Sequence, residues 1–225
     1  MPVWLAAMFL LLAAGCERVA DTPPAAESSP ADNAAALDRL FGEFDEAFLE
    51  LNPIFATFRG DHRFNDQWGP HDFLSDEYAA AMHDLNKQYQ QRLVEIDPPG
   101  LSDQDRSNYD IFKLDRENAI ERHDLGYDRF ETLTPVSQFG SIPSFIVLLG
   151  SGANAQPFAT PQDYDNWIKR SSALTEHVDL SITKMREGVE LGVVRPRLLM
   201  KKALPQLAAQ VVDAPEQSSF WQPVA

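Results

Sequence analysis

From Ala34 to Leu51 the large apolar residues Leu37, Leu40, Phe41, Phe44, Phe48 and Leu51 recur at steps of mostly three and four, which puts them on one stripe of a helix. Asp32 or Asn33 is placed to cap its start. Asn52-Pro53 ends it, because a residue before proline is pushed out of the α region. The same period returns from Asp76 to Ile96, where Tyr78, Met82, Leu85, Tyr89, Leu93 and Ile96 share a face and "DPPG" closes the segment. Ser102, with Asp105 three residues later, has the spacing of a capping box. It opens a third helix with Tyr109, Phe112, Arg116 and Ile120 on one side.

Residues 123–159 break the period. They are rich in Gly, Pro and Ser around one apolar run, Phe145 to Leu149, which suits either a short buried strand or a helical turn. Long irregular segments are often functional, and an apolar crossover beneath the helices is the plainer alternative. At Thr160 the signals sharpen: Thr160 as N-cap, Pro161 at the first helical position and Asp163 at the third predict a helix start. Tyr164, Trp167, Ser171, Leu174, Val178, Met185 and Val189 then supply a stripe for a helix of about thirty residues. Gly192 is the expected C-terminal cap, since a left-handed conformation costs glycine little. Pro196 opens a further helix with Leu198, Leu199, Ala203, Leu207 and Val211 as its apolar side, and Pro205 inside it predicts a kink. The stretch "REGVELGVVRPRLLMKKALPQL" is thus a helix, a corner and a helix, with Gly192 and Pro196 in structural roles. No sustained two-residue alternation occurs. The expected fold is mostly α, a multi-helix array of long amphipathic helices with one irregular Gly/Pro-rich segment and no substantial sheet.

The N-terminus follows a different pattern. Val3 to Ala14, "VWLAAMFLLLAA", is an apolar run too short for a bilayer span of about 20 residues but long enough for a secretory signal core. It leads into Gly15 and Cys16, the only cysteine. "LAAGC" resembles a bacterial lipobox, where a peptidase cuts before a cysteine carrying a diacylglyceryl group. Ala13 replaces the usual leucine, and Met1-Pro2 lacks a basic residue. The alternative is an ordinary signal peptide with an incidental cysteine. The lipobox reading makes residues 1–15 a lipoprotein signal peptide and Cys16 the lipidation site, so no cysteine is left for a disulfide. Residues 16–33, rich in Pro, Ala, Ser and acidic residues, read as a disordered tether, and 34–225 as the helical part. The chain is then exported and anchored in the cell envelope facing the periplasm, with the membrane as a partner through the lipid.

The net charge of −15 argues against nucleic acid as a partner, because few cations are available to displace counterions from phosphates. The five histidines, His62, His71, His83, His123 and His177, have no second histidine within four positions, so H-E-x-x-H is absent. His62, His71, His83 and His123 each adjoin an aspartate, as composition alone produces in an acidic chain. Surface or supporting positions are expected for all five. "FGSIPS" and "LGSGA" place serines beside glycines without a base partner, and neither a G-x-S-x-G elbow nor a P-loop occurs. No catalytic and no metal-ligating residue is assigned, and no cofactor is expected in this chain.

Four segments taken in order, "NPIFATFRGDHRFNDQW", "LSDQDRSNYDIFKLD", "TPQDYDNWIKR" and "REGVELGVVRPRLLMKKALPQL", resemble the N-terminal half of the bacterial DUF885 family from about Ala36 onward. The resemblance implies a large, mostly helical, exported and lipid-anchored zincin-type metallopeptidase. Its H-E-x-x-H helix lies downstream of the matched region, so no zinc ligand or general base transfers to this chain. Zinc and a peptide substrate are expected for the full-length family protein, with these residues as its helical N-terminal part and one wall of a substrate channel. The missing C-terminal catalytic half is then the chain's first partner. The alternatives are a complete non-catalytic helical envelope lipoprotein that binds a partner, and an independent hydrolase using a histidine–carboxylate site.

Overall fold

The computed structural model describes residues 29–139, 141–153 and 155–224. The expected signal peptide, Cys16 and most of the expected tether lie outside the described residues. Helices dominate, and no strand or sheet occurs among the described residues. The helix α1 spans Pro30–Leu51 and α2 spans Pro53–Phe58, with Asn52 between them. Asp76–Leu93 forms α3, Asp103–Asp124 α4, Tyr127–Thr132 α5, Ile142–Gly150 α6, Pro161–Leu191 α7 and Arg197–Ala208 α8. Short 3-10 turns follow at Pro215–Gln217 and Ser219–Val224.

The first helix starts earlier than its apolar stripe suggests. Ser29, not Asp32 or Asn33, is the N-cap: its Oγ accepts from the Asp32 amide at 3.2 Å, and the Asp32 carboxylate returns the bond to the Ser29 amide. Four residues read as tether are therefore helical. Such a cap contributes about 1 kcal/mol. The capping pairs at Ser102/Asp105 and Thr160/Asp163 form where the spacing placed them.

Helices α1, α3 and α4 pack around Leu37, Leu40, Leu85, Tyr89, Leu93 and Tyr109. Phe44 meets Tyr89 and Phe112 edge-on at 5.3 and 5.1 Å. Arg116 lies on the buried side of α4 because its guanidinium covers the Phe44 ring at 4.1 Å, a cation–π contact that lets a charge join an apolar stripe. A second core gathers Ile54, Trp68, Ile146, Leu149 and Trp167, joined by Phe73, Phe145, Phe158 and Phe220. The apolar run Phe145 to Leu149 belongs to α6, so it is helical, and its Ile146 and Leu149 are fully buried.

Helix α7 departs from the expected stripe. Val189 is 68% exposed, whereas Arg170 and His177 are buried to 0% and 1%. The inward face runs Trp167, Arg170, Leu174, His177, Ser181 and Gly188, at steps of three, four and seven. Two of its polar members, Arg170 and His177, fasten the segment that follows α2. Arg170 Nε donates to the Gln67 carbonyl at 2.8 Å, Nη1 to Gln156 Oε1 at 2.7 Å, and Nη2 to the Phe64 carbonyl. Burial pushes this guanidinium down to about 10, against the pull of nearby Asp66, so it stays charged at neutral pH. His177 Nδ1 sits 2.9 Å from Asp72 Oδ2, and Asp72 also accepts from the Leu74 amide and the Trp68 indole. Lys169 with Asp66 and Lys184 with Asp76 extend the seam at the surface.

At the end of α7, Gly192 takes φ 73° and ψ 14° as C-cap, and Pro196 is the N-cap of α8. Gly188 allows the turn to close: a Cβ there would lie 2.7 Å from the Val193 carbonyl oxygen and 2.9 Å from that of Leu133. Leu198 and Val211, placed on the apolar side of α8 by their spacing, are exposed, and Ala203 is the residue it buries.

Replacing Arg170 by Met is expected to lower unfolding free energy by about 3 kcal/mol, since one buried and two part-buried acceptors lose their donor at roughly 1–3 kcal/mol each at full burial. Arg170→Lys should recover little, because an ammonium cannot span a fork of acceptors. Denaturant titration checks both. Burial alone would raise the Asp72 carboxyl, but its bonds to His177, Leu74 and Trp68 outweigh burial and hold it below the usual carboxylate range. Asp72 therefore contributes stability that is complete above about pH 4 and is lost as pH falls through its lower folded value. Unfolding measured from pH 7 to pH 2 should show a shallower acid decline for Asp72→Asn than for the native chain.

Candidate functional site

The largest of the described concavities, about 920 Å³, opens between α2, the start of α3, Pro135, Phe139 and α6. Ile54, Phe55 and Phe58 form one wall because Pro53 at the first helical position turns the chain sharply out of α1. Phe145 and Leu148 form the opposite wall, with Phe58 and Phe145 in ring contact at 4.9 Å. Phe139, 92% exposed, stands at the mouth. Ser141 and Ser144, two of the serines conspicuous in "FGSIPS", line the cleft, and Ser141 caps α6. The cleft is mostly aromatic and aliphatic with a few hydroxyls, the make-up of a site for an apolar ligand.

Tyr78 sits at its inner end. Its hydroxyl donates to Asn52 Oδ1 at 2.6 Å, and Asn52 Nδ2 donates to the Phe48 carbonyl at 2.8 Å, so the α1–α2 joint and α3 are tied by one amide. Burial pushes the Tyr78 phenol up to about 12, with the Asp128 carboxylate assisting. Phe73 and Tyr78 also line a second, smaller pocket of about 380 Å³ that contains two histidines. The cleft and this pocket are therefore adjoining chambers.

In the smaller pocket His83 of α3 and His123 of α4 stack at 4.0 Å between ring centroids, 21° from parallel. His123 Nδ1 lies 3.3 Å from Asp128 Oδ2, and His83 Nε2 lies 3.5 Å from Asp124 Oδ1. Arg122 bridges Asp128 and Glu131. His83 Nδ1 is buried without a hydrogen-bond partner. The pocket offers imidazole nitrogens for binding or for holding a proton. No Ser, Thr or Cys is hydrogen-bonded to either imidazole among the described contacts.

The other histidines have structural settings. His62 is exposed on a 3-10 turn beside Asn65, and His71 is half-buried in the loop before α3. Of the surface or supporting positions expected for the histidines, His177 takes a supporting one, in the buried seam along α7. Ser181 Oγ lies 3.4 Å from His177 Nε2, which gives an Asp72–His177–Ser181 chain, but all three belong to a packed interior with no cleft lined by His177 or Ser181 among the described concavities. Sequence reasoning missed Arg170, His177, Asp72 and Gln156. The available signal was the spacing of Arg170 and His177, three and ten residues after Trp167, on the face of that buried tryptophan.

The zinc implied by the family resemblance finds no fitting donor set here. No group of three or more His, Cys, Asp or Glu among the described residues is arranged to hold a metal ion. The two imidazoles that meet do so face to face, which directs their lone pairs past one another rather than onto one cation.

Spectrophotometric titration provides a test of the inner wall. One tyrosine should ionise only near pH 12, and Tyr78→Phe should abolish that step.

Neither the curated proteins nor the solved structures contain a match to this chain. A family described as bacterial protein of unknown function (DUF885) matches residues 53–225, from the proline that starts α2 through the cleft, the histidine pocket, the seam and the α7–α8 corner. With more than two thirds of its length so matched, the chain belongs to the DUF885 family.

Proposed function

We propose that this chain is the helical, peptide-binding portion of an exported, lipid-anchored zinc metallopeptidase of the DUF885 type, and that it is not itself catalytic. The aromatic cleft of about 920 Å³ carries the reading. It is long-walled, lined by Phe55, Phe58, Phe139 and Phe145, and open at Phe139, which suits the apolar side chains of an extended peptide. Tyr78, Ser141, Ser144 and Gln206 offer hydrogen-bonding groups for a peptide backbone.

Family membership supports the class, and the "LAAGC" stretch supports anchoring through Cys16. The donor set for zinc belongs, on this reading, to an H-E-x-x-H helix outside these 225 residues. What these residues contribute is binding: the α2 and α6 walls exclude water from the apolar side chains, and the Arg170 bonds under α7 fix the chain that follows α2. No residue of this chain is assigned a part in bond cleavage.

Binding of a fluorescent peptide rich in Leu and Phe provides the test. Phe139→Asp should weaken it by about tenfold, the equivalent of roughly 1.4 kcal/mol, while leaving the unfolding midpoint unchanged because the ring is exposed. Equal affinity of the two proteins would sink the peptide-binding reading. Mass spectrometry of the protein recovered from bacterial membranes should show cleavage before Cys16 and an added diacylglyceryl group, and Cys16→Ser should abolish both. Peptide hydrolysis by the purified chain supplied with zinc would overturn the placement of catalysis elsewhere.

A further inference from the structure

The positive charge of this acidic chain is unevenly spent. Five of its 19 basic residues, Arg186, Arg195, Arg197, Lys201 and Lys202, fall within seventeen positions around the α7–α8 corner. Elsewhere Arg59, Arg63, Arg92 and Lys169 are each held by a carboxylate. None of the five at the corner is ion-paired among the described residues; Arg195 donates only to the Thr134 carbonyl. In a chain with 34 carboxylates, cations left without partners form a surface whose counter-charge lies outside the molecule.

The apolar residues of the same corner are also uncovered. Val189, Val194, Leu198 and Leu204 are 68%, 59%, 65% and 59% exposed, because α8 uses only Ala203 and the half-buried Leu199, Met200 and Leu207 to meet the body. Leu198 and Leu204 therefore share the outer side of α8 with Lys201 and Lys202. The centre of a protein–protein interface excludes lysine and confines charge to a rim. Leucines and lysines sharing one exposed side over about two turns instead match a lipid headgroup region, where leucines dip toward the acyl boundary while long cations reach back to phosphates.

We propose that the α7–α8 corner docks on an anionic phospholipid surface, with Leu198 and Leu204 entering the interface and Arg197, Lys201 and Lys202 meeting lipid phosphates. The remaining, acidic surface would then face away from the membrane, so the contact orients the molecule and does not merely attract it. The proposal does not require acylation at Cys16, and its failure would leave the anchor reading untouched.

The test is sedimentation of the full chain, carrying Cys16→Ser throughout, with vesicles of phosphatidylcholine alone or mixed with phosphatidylglycerol. Binding should favour the mixed vesicles and fall with added salt. Each cation near such a surface contributes about fivefold in partitioning, so R197E/K201E/K202E should lower binding to mixed vesicles by at least about fiftyfold. L198S/L204S should lower it severalfold without changing the salt dependence. All five side chains are exposed, and helicity by circular dichroism should match the native chain. Reversal of Arg106 and Lys113, paired cations on α4, should lower binding far less. Equal binding of the native and triple-reversed chains, or an equal loss in the α4 control, overturns the proposal. So does a salt-sensitive dimer that the triple reversal abolishes while vesicle binding persists, which would assign the face to the acidic surface of a second copy.

Discussion

A guanidinium with no solvent exposure organises this protein. Arg170 can be buried only because the chain between α2 and α3 presents backbone carbonyls to it and Gln156 turns an amide oxygen inward. An unpaired buried cation would cost several kcal/mol, so the loop has little freedom to adopt another path. The consequences spread in both directions. Trp68 and Asp72 are fixed against α7, His177 completes the seam one helical repeat further on, and α2 is held where its phenylalanines wall the cleft. The cleft is a product of that seam as much as of its own apolar lining.

Two kinds of electrostatics operate in the same acidic chain. Inside, charge is satisfied by fixed dipoles and rings: Arg170 by carbonyls, Arg116 by the faces of Phe44 and Phe112. Outside, most carboxylates face solvent and most cations near them are paired, which adds little stability. The α7–α8 corner follows neither pattern. None of its five cations is ion-paired among the described residues and its Leu198 and Leu204 are exposed, and a headgroup layer would satisfy both at once.

The proposed peptide and membrane contacts would use different elements, the first α2 and α6, the second α7 and α8. Gln206 of α8 touches both settings, lining the cleft and donating to the Gln138 carbonyl. A peptide in the cleft and a membrane at the corner would thus be sensed by one short helix. The stacked His83 and His123 between α3 and α4 stand at the far side of Tyr78, where a ligand extending past the cleft would meet them.

The local rules of the chain were legible without coordinates. Capping pairs at Ser102 and Thr160, the break at Asn52-Pro53 and the left-handed cap at Gly192 depend on neighbours a few residues away, and spacing states them directly. The apolar stripes of α1, α3 and α4 were legible because those helices bury mainly aliphatic and aromatic side chains. The buried face of α7 was not, since Arg170 and His177 are inside only because acceptors more than a hundred residues away arrive to meet them. The helical state of 142–150 was undecided for a related reason: a short apolar run packs equally well as strand or helix until its surroundings choose. What the sequence determined alone was a set of helices with their ends and a charge imbalance. Tertiary structure decided which polar groups could be taken from water, because only a completed set of partners makes such burial stable, and with that it decided where the cleft and the exposed corner lie.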